Sequence, residues 1–460
     1  MKKIISILFL YTFSVFSIFA QRNYAQELID LLQQGKCFEA RDLCTQYADN
    51  LPLGDKTFDL VYKSHMALFL NKQDSAVIYL DDLLANHEFA MGPVIGVYYG
   101  RLFQVYDDMQ RFKDGVELCD KMLNYIKRNP FDLNQDFINN EINWIDSVKS
   151  ALKDRDLNGP RIKIVRTNNE KNTIKLNDDE YIRFNAKYND IPLRTLFDTG
   201  VSEYFFITKN LADKIGVKII DTKQDSIKKI NGVPTKALKG VIDKIDLGNL
   251  KLYNIPVLVF NAPFYTHLPD TLNNIERAKV EDVFSENQII MGLPTMLLIG
   301  KMELDWEKRT LSFPEDTEDV KTNNSPNIYL VGKDPYTRLK INGLSYTGYL
   351  DSGDNEFLSM EFPFYERNKS SIQIDSIAQK ATLTYHGMSQ SIFNPSYELV
   401  KDPWIYSNGK HITSDVDRVI IVNRMRHLNT FDGTVGVRFF YRLGANVILD
   451  FKNMIIEGKN

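Results

Sequence analysis

The chain has 460 residues, of which 43% are hydrophobic and 25% charged, so it is globular in composition and too long for one core. Its formal net charge of −4, with no block of basic residues, excludes nucleic acid as a favoured partner. Three cysteines, Cys37, Cys44 and Cys119, all in the first third, exclude a disulfide scaffold.

At the amino terminus Lys2 and Lys3 precede an apolar run from Ile4 to Phe19 and a small residue, Ala20. This reads as a secretory signal over residues 1–20, cleaved before Gln21, and predicts an exported protein, periplasmic or extracellular. The alternative is an uncleaved anchor, because Ile18 is bulky for a cleavage site. No other apolar run is long enough to span a bilayer, so no membrane span is expected after signal cleavage.

Residues 21–157 are predicted to form a helical domain. A weak repeat recurs at Gly35-Lys36-Cys37-Phe38-Glu39-Ala40, Asn71-Lys72-Gln73-Asp74-Ser75-Ala76 and Gln110-Arg111-Phe112-Lys113-Asp114-Gly115, spaced 36 and 39 residues apart. Each copy is followed by an apolar helical pair: Leu43 and Tyr47, Tyr79 and Leu83, Leu118 and Met122. The pattern resembles tetratricopeptide-type helical hairpins, in which a small residue lets neighbouring helices approach; such repeats imply a protein partner. A plain helical bundle without a peptide groove is the competing reading. If Cys37 and Cys44 share a helix, their Cα atoms lie roughly 10 Å apart, too far for a disulfide, so buried helical thiols are expected.

Asn158-Gly159-Pro160 breaks the helical pattern, and from Ile162 the chain reads as short strands separated by Gly, Pro, Asn and Asp. This β region repeats once. Leu196-Phe197-Asp198-Thr199-Gly200 and Tyr349-Leu350-Asp351-Ser352-Gly353 lie 153 positions apart. Tyr181-Ile182-Arg183-Phe184 precedes the first and Tyr336-Thr337-Arg338-Leu339 the second. Leu304-Asp305-Trp306-Glu307-Lys308 and Leu449-Asp450-Phe451-Lys452-Asn453 close the two copies. Two homologous lobes follow, residues 158–320 and 321–460, joined by the acidic, Asn-rich stretch between Pro314 and Pro326.

The paired motif resembles that of aspartic proteases, particularly exported bacterial relatives of the retropepsin-like lobe with two lobes in one chain. The resemblance implies a multidomain α plus all-β protein, a helical-repeat domain followed by a bilobal aspartic-protease-like β-barrel fold. It implies an endopeptidase in which Asp198 and Asp351 form a catalytic dyad that activates water on a polypeptide substrate, with no cofactor and no metal. Thr199, Gly200, Ser352 and Gly353 are expected to support the dyad, the hydroxyls by hydrogen bonding across to the other lobe. Asn231-Gly232 and Tyr385-His386-Gly387 are the candidate flap turns, with Ile289-Ile290-Met291-Gly292 and Thr434-Val435-Gly436 as strands passing the two catalytic turns. His386 and His411 lack metal-ligand spacing.

Two positions depart from the family. The residue after each glycine is usually Ala or Ser; here it is Val201 in one lobe and Asp354 in the other. An added carboxylate at 354 either raises the pair's apparent pKa or faces water as a turn residue. The alternative function is therefore a catalytically inactive bilobal peptide-binding or scaffold protein.

Overall fold

The computed structural model describes residues 23–129, 135–167, 173–178, 180–228, 234–260, 274, 288–314, 325–375, 383–387, 390–394, 398–412, 418–422 and 431–459. The amino-terminal apolar run, Asn231-Gly232 and residues 315–324 of the inter-lobe link lie outside them. The chain divides into two compact units, residues 1–161 and 162–460.

The first unit is helical: α1 (Tyr24–Gln33), α2 (Cys37–Gln46), α3 (Lys56–Phe69), α4 (Gln73–Asn86), the short α5 (Glu88–Met91), α6 (Ile95–Asp108), α7 (Phe112–Arg128) and α8 (Gln135–Asn158). The three sequence repeats coincide with the turns α1–α2, α3–α4 and α6–α7. Each turn starts with a residue of positive φ, Gly35 (72°), Asn71 (53°) and Gln110 (56°). In each, the next amide reaches back to the preceding helix, Lys36 to Leu31, Lys72 to Ala67 and Arg111 to Tyr106, at 2.9, 2.8 and 2.8 Å. This is the Schellman closure, which satisfies carbonyls that a helix end would otherwise leave open. The small residues follow: Ala40 and Ala76 are fully buried, and a Cβ on Gly115 would sit 2.8 Å from Leu152 Cδ1 on α8. The apolar faces of α3, α4, α6 and α7 share one core around Leu80, Leu83, Tyr98 and Leu102, and α7 packs on α8 through Cys119, Leu123, Ile145 and Leu152. None of the three cysteines is in a disulfide: Cys37 and Cys44 lie on α2 and Cys119 on α7, and Cys37 and Cys119 are buried as expected while Cys44 is half-buried. Among the described residues no helix is long and apolar enough to cross a membrane.

The second unit is built from two similar β lobes. Lobe 1 contains β1 (Lys163–Arg166), β2 (Thr173–Lys175), β3 (Arg183–Tyr188), β4 (Ile191–Asp198), β5 (Phe205–Thr208), α9 (Lys209–Ile215), β6 (Lys218–Lys228), β7 (Pro234–Leu247), β8 (Leu250–Phe260), β9 (Gln288–Gly292), α10 (Leu293–Ile299), β10 (Lys301–Asp305) and β11 (Thr310–Ser312). Lobe 2 contains β12 (Ile328–Val331), β13 (Asp334–Ile341), β14 (Leu344–Leu350), β15 (Leu358–Glu361), α11 (Phe362–Asn368), β16 (Leu383–Gly387), β17 (Gln390–Asn394), β18 (Glu398–Leu399), β19 (Ile405–Ser407), β20 (Lys410–His411), β21 (Val419–Val422), β22 (Gly433–Val435), α12 (Val437–Arg442), β23 (Asn446–Asp450) and β24 (Ile455–Lys459).

The central pairing is the same in both lobes. β9 runs parallel to β4 and antiparallel to β5, and β22 runs parallel to β14 and antiparallel to β15. These middle strands are flanked on both sides, which accounts for the apolar run Ile289-Ile290-Met291 of β9 and the burial of all three residues of β22. The closing strands meet: β10 pairs antiparallel with β23 at the centre of a five-stranded sheet, β2-β11-β10-β23-β24, drawn from both lobes. Asp305 and Asp450 there bind backbone amides of the turns that follow, Lys308 for the first and Lys452 and Asn453 for the second, so both are structural.

The upstream sequence match is displaced by two residues. Two-residue turns at Asn189-Asp190 and Asn342-Gly343, all of positive φ, fix the register of β3–β4 and β13–β14. Leu196 pairs with Arg183, whereas its counterpart Tyr349 pairs with Tyr336. Arg183, not Tyr181, is thus equivalent to Tyr336. Because the offset is even, side chains keep their face and the sequence alternation still matches.

Candidate active site

Each candidate aspartate sits where an apolar strand ends. Asp198 is the last residue of β4, and Asp351 follows β14 immediately. The strands deliver them to one place because the central pairing is buried: Phe197, Leu350, Met291 and Val435 are all inaccessible to solvent. The carboxylates lie at the edge of that core, only partly exposed.

The two turns have matching hydrogen bonds. Gly200 donates its amide to Asp198 Oδ1 at 2.9 Å, and Gly353 donates to Asp351 Oδ1 at 3.0 Å. The amides of Val201 and Asp354 return to the carbonyls of Asp198 and Asp351, at 3.3 and 3.0 Å. Gly292 and Gly436 pass close behind: an added Cβ would lie 2.0 Å from the Glu203 carbonyl oxygen and 2.1 Å from that of Glu356. Only glycine permits such an approach.

Thr199 and Ser352 join the turns across the lobe boundary, and both are fully buried. Thr199 Oγ1 donates to the Leu350 carbonyl at 2.7 Å and accepts the Ser352 amide at 2.9 Å. Ser352 Oγ donates to the Phe197 carbonyl at 2.9 Å and accepts the Thr199 amide at 2.9 Å. A short hydroxyl residue is needed because it must give and accept a bond at once in a dry interface.

This exchange brings the carboxylates together. A Cβ on Gly200 would stand 2.5 Å from Asp351 Oδ1, and one on Gly353 would stand 2.5 Å from Asp198 Oδ2. Each glycine therefore forms the floor under the opposite carboxylate. Burial, and then the charge of Asp351, hold the Asp198 carboxyl well above the ordinary carboxylate range. A hydrogen bond with Asp351 and the charge of Asp354 push the same way, and the Gly200 amide opposes them. Such a pair can hold one proton where isolated carboxylates have lost theirs.

The two departures from the motif have different surroundings. Val201 is buried with Leu196, Phe206, Phe260 and Ile290, so it belongs to the lobe 1 core. The Asp354 carboxylate accepts the Glu356 amide at 3.0 Å, a turn bond, yet its charge reaches Asp198. Asp354 is thus a half-buried turn residue whose charge still bears on Asp198. Tyr385-His386-Gly387 lie on β16, which pairs with β17 as a separate hairpin in the register Tyr385 to Ile392 and His386 to Ser391. In lobe 1 the strands flanking Asn231-Gly232 pair up to Lys228 opposite Pro234, a hairpin with its tip outside the described residues.

One neighbour of the pair was not singled out from sequence. The Tyr349 hydroxyl crosses to lobe 1 and donates to the Gly200 carbonyl at 2.9 Å. The available signal was its place two residues before Asp351, on the same strand face, where lobe 1 has Leu196. Among the described residues no group of three or more His, Cys, Asp or Glu is arranged to hold a metal ion.

Comparison with known proteins gives one family match and a similar solved structure. Residues 184–294 match the model of a family described as aspartyl protease. The match begins in β3, contains Asp198-Thr199-Gly200, and ends just beyond Gly292. A retropepsin-like aspartic protease from Rickettsia conorii, known from its crystal structure, is similar at 21% identity over 33% of this chain and 91% of that one, with a TM-score of 0.20. No curated protein matches the chain. The family match supports an aspartic protease type, and with it a polypeptide substrate.

Proposed function

We propose that the protein is an exported aspartic endopeptidase whose Asp198 and Asp351 act as one catalytic pair. The observation that carries this reading is the reciprocal exchange of hydroxyl bonds by Thr199 and Ser352, which holds two carboxylates together at a lobe boundary. One proton is shared. The ionised carboxylate takes a proton from water as its oxygen attacks the scissile carbonyl carbon, while the protonated one hydrogen-bonds the carbonyl oxygen. Collapse breaks the C–N bond, and the proton taken from water is passed to the leaving amine. The β6–β7 and β16–β17 hairpins are the elements suited to close over an extended peptide.

Export is proposed from Lys2, Lys3 and the apolar run that follows, with a periplasmic or extracellular destination. The helical unit is proposed to be tetratricopeptide-like and to bind a protein partner, a reading supported by three Schellman turns at the repeat positions.

A second reading, a bilobal binding protein without turnover, is favoured by Asp354, whose charge adds to that of the pair. Cleavage of a mixed peptide library from pH 3 to 8, wild type against Asp198→Asn, separates the two. The peptidase reading expects cleavage that the substitution abolishes. Equal cleavage by both proteins, or none by either, would falsify it.

A further inference from the structure

The network of Thr199 and Ser352 treats the two lobes alike, but the residues beside it do not. Leu196 and Tyr349 occupy equivalent strand positions, pairing with Ile290 and Thr434 of the parallel neighbours. Leu196 is buried among Val201, Phe206, Phe260 and Ile290. Tyr349 instead places its ring against Tyr336 and Phe431, with centroids 5.7 and 6.2 Å away, and its hydroxyl donates across the boundary to the Gly200 carbonyl at 2.9 Å.

Gly200, like Gly353, touches both carboxylates, but among the described residues only Gly200 has a side chain of the other lobe on its carbonyl. Its amide binds Asp198 Oδ1, and its Cα faces Asp351, so that a Cβ there would stand 2.5 Å from Oδ1. A bond to its carbonyl fixes the Gly200–Val201 peptide, the unit next to the one whose amide binds Asp198, and so limits rotation at the Cα between them. No equivalent bond can run the other way, because leucine has no donor.

We propose that Tyr349 is a positioning residue of the carboxylate pair: by holding the Gly200 carbonyl from the opposite lobe, it orients the Asp198 turn against Asp351 and makes the two carboxylates inequivalent. The titratable groups that face its phenol are Asp351, Asp334, Asp198 and Tyr336. Burial first, then the charges of Asp351, Asp334 and Asp198, keep the phenol protonated well above its ordinary range, so it stays a donor wherever the carboxylates titrate.

The catalytic consequence rests on the peptidase reading, so the test has one arm that needs no turnover. Full-length wild type, Tyr349→Phe and Tyr349→Leu are compared for kcat and KM on a cleaved peptide across pH. The same proteins are treated with a carboxyl-esterifying epoxide, and modification of Asp198 and Asp351 is measured separately by peptide mapping.

Loss of the hydroxyl is expected to lower kcat roughly tenfold with KM within about twofold, as loss of orientation does. The limbs of the pH profile should shift by about half a unit, and the labelling ratio of the two aspartates by about threefold. A purely structural tyrosine would lower the melting temperature while leaving profile and ratio alone; that result overturns the proposal. If wild type is labelled but cleaves nothing, the peptidase reading falls and the labelling ratio alone decides for or against Tyr349. If neither aspartate of the wild type reacts, there is no activated pair to position and the proposal is overturned.

Discussion

Thr199→Val isolates the inter-lobe network, since valine matches threonine in shape and removes only the hydroxyl. That hydroxyl donates to the Leu350 carbonyl at 2.7 Å and accepts the Ser352 amide at 2.9 Å, in an interface without solvent. Leaving a buried donor or acceptor without its partner costs about 1–3 kcal/mol, so the pair of losses amounts to about 2–6 kcal/mol. A domain of 150–250 residues melts about 2–4 °C lower per kcal/mol, and the β unit is larger, so its transition should fall by roughly 5–10 °C. Differential scanning calorimetry of the full chain reads this directly, with the helical transition as an internal reference. Thr199→Ser restores the hydroxyl and should stay within about 1 kcal/mol of wild type. Thr199→Val and Ser352→Ala remove separate pairs of bonds, so in the double variant any departure from the sum of the single losses measures relaxation of the shared interface. A Thr199→Val protein that melts with the wild type would show that these bonds carry no net stability.

Asp198→Asn should stabilise the β unit at neutral pH. The folded carboxyl is held above its ordinary value by burial and Asp351, so the folded state keeps a proton that the unfolded chain loses. Wild-type stability therefore falls as pH rises above about 4, by about 1.4 kcal/mol per unit until the folded group titrates. Thermal melts of both proteins between pH 3 and 8 should diverge with rising pH; parallel curves would refute the shift. Gly353→Ala places a methyl 2.5 Å from Asp198 Oδ2, and displacing that carboxylate should cut peptide cleavage by about a hundredfold with the circular dichroism spectrum retained. Retention of full cleavage would contradict the contact. In the helical unit, His65 is buried and its pKa is lowered well below the ordinary range, by desolvation and then by Arg101. The unfolded chain binds the proton first, so this unit should lose stability as pH falls below about 6.5, and His65→Phe should flatten that dependence in pH-resolved melts.

Much of the site was legible because it is encoded locally. An apolar pair, an aspartate, a hydroxyl residue and a glycine specify a strand end and a tight turn through the geometry of five consecutive residues. The three similar turns between helices were legible for the same reason: Gly35, Asn71 and Gln110 each start a Schellman turn, a motif read within six residues. Register was less so. The offset between Tyr181 and Tyr336 depends on where two hairpin turns centre, and an even slip preserves the alternation that a sequence comparison detects. Asp354 was ambiguous because its turn bond to Glu356 is local, whereas its effect on Asp198 comes through space.

The sequence by itself determined that the chain carries two copies of one carboxylate turn, separated by similar lengths of strand-forming residues. Local sterics and hydrophobic alternation are sufficient for that. Only the tertiary structure decided that the turns share a site, since Thr199 and Ser352 bond residues more than 150 positions away and each glycine floors the opposite carboxylate. It also decided that the site is asymmetric. Tyr349 and Leu196 differ in sequence by one side chain, but a bond from a phenol to a carbonyl exists only once the two lobes have met.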